Sequence, residues 1–247
     1  MKLIKVYHRL GCDPVLKELA GITSEKGFFS RIQIEDCDIK TIADVISSEK
    51  NKKENKEKTI ILGGTHAVTY NCMKKLKGSG FGIILFDAHP DCDPEFSEII
   101  DGNKQKDLLI ELIEKQIVPK ENIIIIGVRN IRPAEREFLK LHSIRYFTMD
   151  KIYDIGAKEV CDVVMETSRN WENLYISVDI DAVDPAFAPA AGCAEPGGLS
   201  SREIIYFIQR LNLLKNLRFV DITEIREEKD INGMTSKLAA KLIREIV

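Results

Sequence analysis

Residues 87–91 read Asp-Ala-His-Pro-Asp, which puts Asp87, His89 and Asp91 at alternate positions, and alternate positions of an extended chain face one way. A second acidic run, Asp179-Ile180-Asp181, repeats that two-residue step and is followed by Asp184-Pro185. His66 closes the run Gly63-Gly64-Thr65-His66, and Glu224 closes Asp221-Ile222-Thr223-Glu224. Taken singly, each motif is an ordinary feature: a solvated turn, or a strand-to-helix turn with a capping hydroxyl. Taken together, they end four strand-like runs, so they fall where open α/β sheets bind ligands, beyond the carboxyl ends of strands. Asp87, Asp91, Asp179 and Asp181 at one edge would repel and force some of their number to bind protons. Two divalent cations remove that conflict, and His66 and His89 complete a set of six ligands. The set is rich in oxygen and has no thiolate, which favours Mn²⁺ over a structural Zn²⁺. Such a pair can hold a bridging hydroxide at neutral pH, because metal binding lowers the pKa of water to about 7 in favourable sites.

The elements that must position these residues alternate along the chain. Strands are predicted at 3–7, 29–34, 59–62, 82–87, 122–127, 144–147, 173–179 and 218–223. Helices are predicted at 14–19, 39–48, 67–76, 104–115, 133–141, 157–169, 201–213 and 233–246. Several strands are apolar throughout instead of alternating, the pattern of strands buried on both faces of a parallel sheet. The order implies a three-layer α/β/α sandwich around a mostly parallel sheet of about eight strands. The 247 residues, 44% of them hydrophobic, can fill the core of a single domain over 1–247. The mixed-charge tract 50–58, KNKKENKEK, reads as a solvated loop.

Composition excludes several functions. A net charge of −3 argues against a general nucleic-acid binder. No apolar run approaches the roughly 20 residues that cross a bilayer, and the first residues hold no secretory core. The six cysteines are scattered, without a CxxC, and read as reduced thiols in a cytoplasmic protein.

The motifs resemble those of the ureohydrolase superfamily of arginases, agmatinases, guanidinobutyrases and formimidoylglutamases. GGTH at 63–66 resembles the family's GG[DE]H, and DAHPD at 87–91 matches DAHxD. SVDIDAVDP at 177–185 matches SxDxDxxDP, and DITE at 221–224 resembles DxxE. PAAGCAEPGGLS at 189–200 resembles a segment of agmatinase-like members, and GMTSKLAAKL at 233–242 is similar to the family's last helix. The resemblance spans roughly 59–247 and marks a short, agmatinase-like member. It implies a sandwich around an eight-stranded, mostly parallel sheet and two Mn²⁺ per subunit. By position, His66, Asp87, Asp91 and Asp179 would hold one ion. Asp87, His89, Asp179 and Asp181 would hold the other, with Asp87 and Asp179 bridging. Glu224 would bind the substrate guanidinium through paired hydrogen bonds, and Asp91 would carry a proton to the leaving amine. The resemblance also implies a homo-oligomer, a trimer or hexamer.

This chain departs from the family pattern at several points. Thr65 replaces an acid beside His66, Cys193 and Ala194 replace Thr-Pro, and the N-terminal region lacks a glycine-, arginine- and proline-rich segment. The loop after Asp91 has no histidine, which leaves Glu95 or Glu98 as candidates for moving protons. His142 reads as a surface turn residue, and Cys92 and Cys193 as small apolar fillers. The acidic residues Asp93, Glu95, Glu98 and Asp101 would favour a small cationic guanidino substrate. The leading expectation is therefore hydrolysis of agmatine to putrescine and urea. Arginine is the alternative substrate. Formimidoylglutamate ranks lower, because its carboxylates need basic contacts not found in the sequence. A non-catalytic metal-binding relative is the alternative class. A one-zinc deacetylase on a related fold is disfavoured by His66 together with Asp91 and Asp181.

Overall fold

A computed structural model describes residues 2–7, 12–22, 33–38, 42, 44–46, 57–100 and 103–247. The strands, in chain order, are β1 (Lys2–Tyr7), β2 (Gln33–Asp38), β3 (Thr59–Leu62), β4 (Phe81–Phe86), β5 (Ser97–Ile100), β6 (Asn103–Lys106), β7 (Ile123–Val128), β8 (Arg145–Thr148), β9 (Asn173–Asp179) and β10 (Leu217–Thr223). Eight of them form one sheet in the order β2-β1-β3-β10-β9-β4-β7-β8, with every neighbouring pair parallel. β5 and β6 form a separate antiparallel hairpin.

The central strands are apolar because both faces are covered. Every residue of β3, β4 and β7 is buried. Alternate side chains enter opposite layers: Ile84, Ile124, Ile176 and Val220 enter one core, and Ile83, Ile125, Tyr175 and Phe219 the other. Helices Cys12–Ile22, Ala157–Ser168, Ser201–Leu211 and Met234–Ile246 cover the first face. Helices His66–Leu76 and Leu108–Glu114 cover the second. Each buried Ile or Leu contributes about 1.5–3 kcal/mol. Gly82 is needed in β4 because a Cβ there would run into the indole of Trp171.

Local chemistry sets the helix starts. Ser200 Oγ accepts the Glu203 amide at 3.2 Å while the Glu203 carboxylate accepts the Ser200 amide at 2.7 Å, a reciprocal cap that opens helix 201–211. Thr65 Oγ1 accepts the Ala67 amide at 3.3 Å and starts helix 66–76, so the family's missing acid is replaced by a cap.

Two predicted elements differ, and one observed helix was not predicted. The helix predicted at 104–115 starts only at Leu108; Asn103–Lys106 lacks an apolar period and pairs with 97–100 instead. The second strand lies at 33–38, later than the predicted 29–34, of which 29–32 fall outside the described residues. A helix at Met149–Ile155, capped by Thr148, was not predicted. Of the predicted helix 39–48 only 42 and 44–46 are described, and 50–56 of the charged tract lie outside the described residues. No helix among the described residues is long and apolar enough to cross a membrane.

Candidate metal centre

The four motifs stand at the carboxyl ends of β3, β10, β9 and β4, which are adjacent in the middle of the sheet. Beyond β3 the chain turns through Gly63 (φ 92°) and Gly64 (φ 85°), a left-handed conformation natural to glycine. A Cβ on Gly64 would also run into Val68. The turn makes His66 the first residue of its helix. The Gly63 amide donates to the Ile222 carbonyl and the Glu224 amide to the Gly64 carbonyl, both at 2.9 Å, which fastens the tips of β3 and β10 together. Asp91 (φ 47°) and Glu224 (φ 62°) are also left-handed, and such strain in non-glycine residues collects at functional sites.

All six predicted ligands converge. His66 Nδ1 lies 2.7 Å from Asp91 Oδ2 and 3.6 Å from Asp87 Oδ2, and its Nε2 lies 3.4 Å from Asp179 Oδ2. His89 Nδ1 lies 3.0 Å from Asp181 Oδ2 and 3.7 Å from Asp87 Oδ1. His66, Asp87 and Asp179 form one group whose donor atoms are all within 4.8 Å of one another; Asp87, His89 and Asp181 form a second. Asp87 is common to both, whereas Asp179 belongs to the first group alone. Asp179 Oδ1 instead accepts the Asp181 amide at 2.8 Å. Asp87 Oδ1 accepts the His89 amide at 2.7 Å and Asp181 Oδ1 the Ala88 amide at 3.0 Å. The backbone thus aims these carboxylates.

The electrostatics favour a cation. Burial and the nearby Asp91, Asp181 and Asp179 push the Asp87 carboxyl well above the usual range. Burial and Asp181 do the same to Asp179. For His66, burial opposes the charge, but the bond to Asp91 and the fields of Asp179 and Asp87 outweigh it and raise the imidazole strongly. His89 is raised against its burial by Asp181. Asp181 is lowered, against its own burial, by His89. These shifts mark an excess of negative charge that a cation would offset. Among the described residues His66 Nε2 is buried without a hydrogen-bond partner, a state that costs about 1–3 kcal/mol and that a cation between His66, Asp87 and Asp179 would relieve. The donor set therefore fits a pair of divalent ions.

Glu224 stands beside this cluster. Its Oε1 accepts the His66 amide at 3.1 Å, and it lines a cavity of about 250 Å³ together with the six residues above. Asp221 does not line that cavity. It is buried beneath, where Thr69 Oγ1 donates to its Oδ2 at 2.8 Å and Tyr175 Oη at 2.7 Å.

The loop after Asp91 differs from expectation. Glu95 is exposed and does not line the cavity, and the Glu98 side chain lies outside the described residues. Phe96, Lys106 and Asp107 line it instead, and burial with Asp91 nearby holds Asp107 up at about 7. Cys193 is an exposed lining residue rather than a filler; Cys92 is buried. His142 packs on Phe138 and does not line the cavity.

Two arginines were not singled out from the sequence. Arg129 Nη2 donates to the carbonyls of Asp181 and Glu195, both at 2.6 Å, and so ties the tip of β9 to the 195–196 loop. Arg226 lines the cavity. Its signal was its place two residues after Glu224, the same alternation that pairs Asp87 with His89.

An all-parallel sandwich with acids and imidazoles gathered at its central strand tips is the framework of a metal-dependent hydrolase. A profile of the arginase family matches residues 19–247, and the chain belongs to that family, whose members cleave C–N bonds of guanidino and amidino compounds. It is 31% identical over 236 residues to an arginase of Staphylococcus aureus (strain COL), covering 90% of this chain and 76% of that one. It is 30% identical over 194 residues to the proclavaminate amidinohydrolase of Streptomyces clavuligerus, covering 76% of this chain and 60% of that one. Among solved structures, arginase from Bacillus subtilis superposes with a TM-score of 0.83 at 22% identity, covering 99% of this chain and 97% of that one. Agmatine ureohydrolase of Thermoplasma volcanium gives 0.77 at 24%, covering 99% and 87%.

Proposed function

We propose that this chain hydrolyses the guanidino group of a small substrate to urea and an amine, using two Mn²⁺ per subunit. His66, Asp87, Asp91 and Asp179 would hold one ion, and Asp87, His89 and Asp181 the other. The observation that carries this reading is the pair of donor groups sharing Asp87, with an unpartnered buried His66 Nε2 in one of them. When bound, the two ions would lower the pKa of a shared water to about 7 and so supply a nucleophile.

The chain's own residues supply the remaining steps. Glu224 receives the planar guanidinium: the His66 amide fixes Oε1, and the carboxylate fork pairs with two guanidinium N–H groups. That grip holds the guanidino carbon beside the metal ligands, which supplies proximity. Asp91, with Oδ2 against His66, is placed to accept a proton and return it to the leaving nitrogen.

Arginine is the substrate we favour, in line with the arginase names of the relatives. The acidic-rim argument for agmatine weakens, because Asp93 accepts a hydrogen bond from Arg132 at 2.7 Å and Glu95 stays outside the cavity. Agmatine keeps one supporting observation, the 189–200 segment, of which Gly192 and Cys193 line the cavity. We place the protein in a reducing compartment, the cytoplasm, as a trimer or hexamer; Cys72, Cys92, Cys161 and Cys193 are free thiols. Metal analysis beside a urea-release screen of the Mn²⁺-loaded protein over arginine, agmatine, guanidinobutyrate and guanidine tests the reading. Two bound ions with no urea from any of the four would make it a metal-binding relative instead.

A further inference from the structure

Arg226 places a second guanidinium beside the carboxylate that the proposed reaction needs for its substrate. Its Nη2 lies 3.5 Å from Glu224 Oε2. The position is built: the Arg226 amide donates to the Ala190 carbonyl at 2.7 Å, and Ile225 bridges Ala191 in antiparallel register. Gly192 packs beside both groups: a Cβ there would stand in ordinary van der Waals contact, 3.4 Å from Arg226 Nε and 3.5 Å from Glu224 Oε2.

The other cation in the cavity lining is Lys106, and its ammonium donates to both Glu114 oxygens, at 2.9 and 2.7 Å. Arg226 is therefore the cationic group there that pairs with no acid except Glu224, among the described residues. A substrate guanidinium arriving at Glu224 competes with Arg226 for that carboxylate and meets a like charge. A second cation on the substrate tail makes this worse. A carboxylate on the tail reverses it, because Arg226 then gains a partner that matches its planar donor fork.

We propose that Arg226 is a specificity-determining residue, which pairs with a carboxylate on the substrate tail while Glu224 holds the guanidino end. The substrates so selected are ω-guanidino acids, arginine included, over agmatine and simple alkylguanidines. The proposal rests on Glu224 being the guanidinium acceptor.

The test measures urea release by Mn²⁺-loaded wild type, Arg226→Gln and Arg226→Lys on 4-guanidinobutanoate, arginine, agmatine and butylguanidine. Arg226→Gln is expected to lower kcat/KM on the two acids by roughly 10- to 100-fold, chiefly through KM, as for loss of a charged hydrogen bond. It is expected to raise kcat/KM on agmatine. Arg226→Lys should restore part of the loss, as a point charge without the fork. Equal changes on all four compounds, or none, would overturn the proposal. Circular dichroism and metal content identify a misfolded variant, in which case Arg226→Lys alone decides by the same ratio. Should wild type release urea from none of the four, the reaction assignment fails, and calorimetric titration with 4-guanidinobutanoate and butylguanidine decides the role of Arg226. Tighter binding of the acid that disappears in Arg226→Gln supports it, and equal affinities in both proteins overturn it.

Discussion

The body of β4 and its tip are neighbours in sequence and opposites in physics. Phe81–Phe86 is wholly buried among apolar side chains, with Phe86 edge-on to Phe207 at a centroid distance of 5.4 Å. From Asp87 the same chain carries a buried acid that is repelled by the half-buried, left-handed Asp91. β3 and β9 repeat the contrast, and Glu224, just beyond β10, is a second strained residue. The bodies supply stability that the tips consume, and the tips become favourable only when positive charge arrives. Stability and function are thereby separable by position along a single strand.

Substitutions at the two ends of these strands should break along that line. The largest effect belongs to Asp87→Asn, which removes the one carboxylate common to both donor groups. Urea release should fall by roughly a thousandfold or more, the scale seen when transition-state charge stabilisation is lost. Metal content should drop below two per chain in the same sample. Glu224→Gln should instead keep two ions and lose roughly a hundredfold or more in kcat/KM, a separation that steady-state kinetics with elemental analysis would detect. In the strand body, Ile84→Ala should cost about 2–5 kcal/mol of stability while the folded fraction keeps its metal, as chemical denaturation and metal analysis would show. The smallest change is Ser200→Ala, far along the chain from the tips, at about 1 kcal/mol for a lost cap.

The pH dependence sharpens the comparison further. In metal-free protein, Asp87 and Asp179 hold protons that the unfolded chain releases near its ordinary carboxylate pKa. Folding stability from these groups is therefore greatest in acid and is lost as pH rises through their raised folded values. His66 and His89 act in the same direction: their contribution is full below their unfolded pKa and disappears above the folded one. Within the donor cluster, Asp181 runs the other way. Thermal melts in EDTA should therefore show Tm falling from pH 5 to pH 8. With Mn²⁺ the trend should reverse, since metal binding displaces protons. An apo Tm that climbs over this range would contradict the electrostatic account of the tips.

What could be read from the sequence follows the same division. β3 and β4 are apolar runs and β9 and β10 are mostly apolar ones, each ending at or within four residues of an acid or histidine, so both the strands and the residues at their ends were visible without coordinates. The antiparallel pair 97–100 and 103–106 was not, because its strands lack alternation and form their own sheet. Lys106 and Asp107 were missed with it. Arg129 was hidden because the carbonyls of Asp181 and Glu195 that it ties together lie more than fifty positions away, which no side-chain pattern announces. Arg226 was legible in principle from its spacing to Glu224. The charge-rich segment after Asp91 drew attention away from it, although the residue of that segment nearest to pairing, Asp93, is taken up by Arg132.

Anomalous diffraction from crystals grown with Mn²⁺ addresses the dinuclear assignment most directly. Two peaks should appear roughly 3.5–4 Å apart, one against His66, Asp91 and Asp179 and the other against His89 and Asp181, with Asp87 touching both. A single peak, or a His66 ring turned out of the cavity with no ion beside Nδ1 or Nε2, would contradict it.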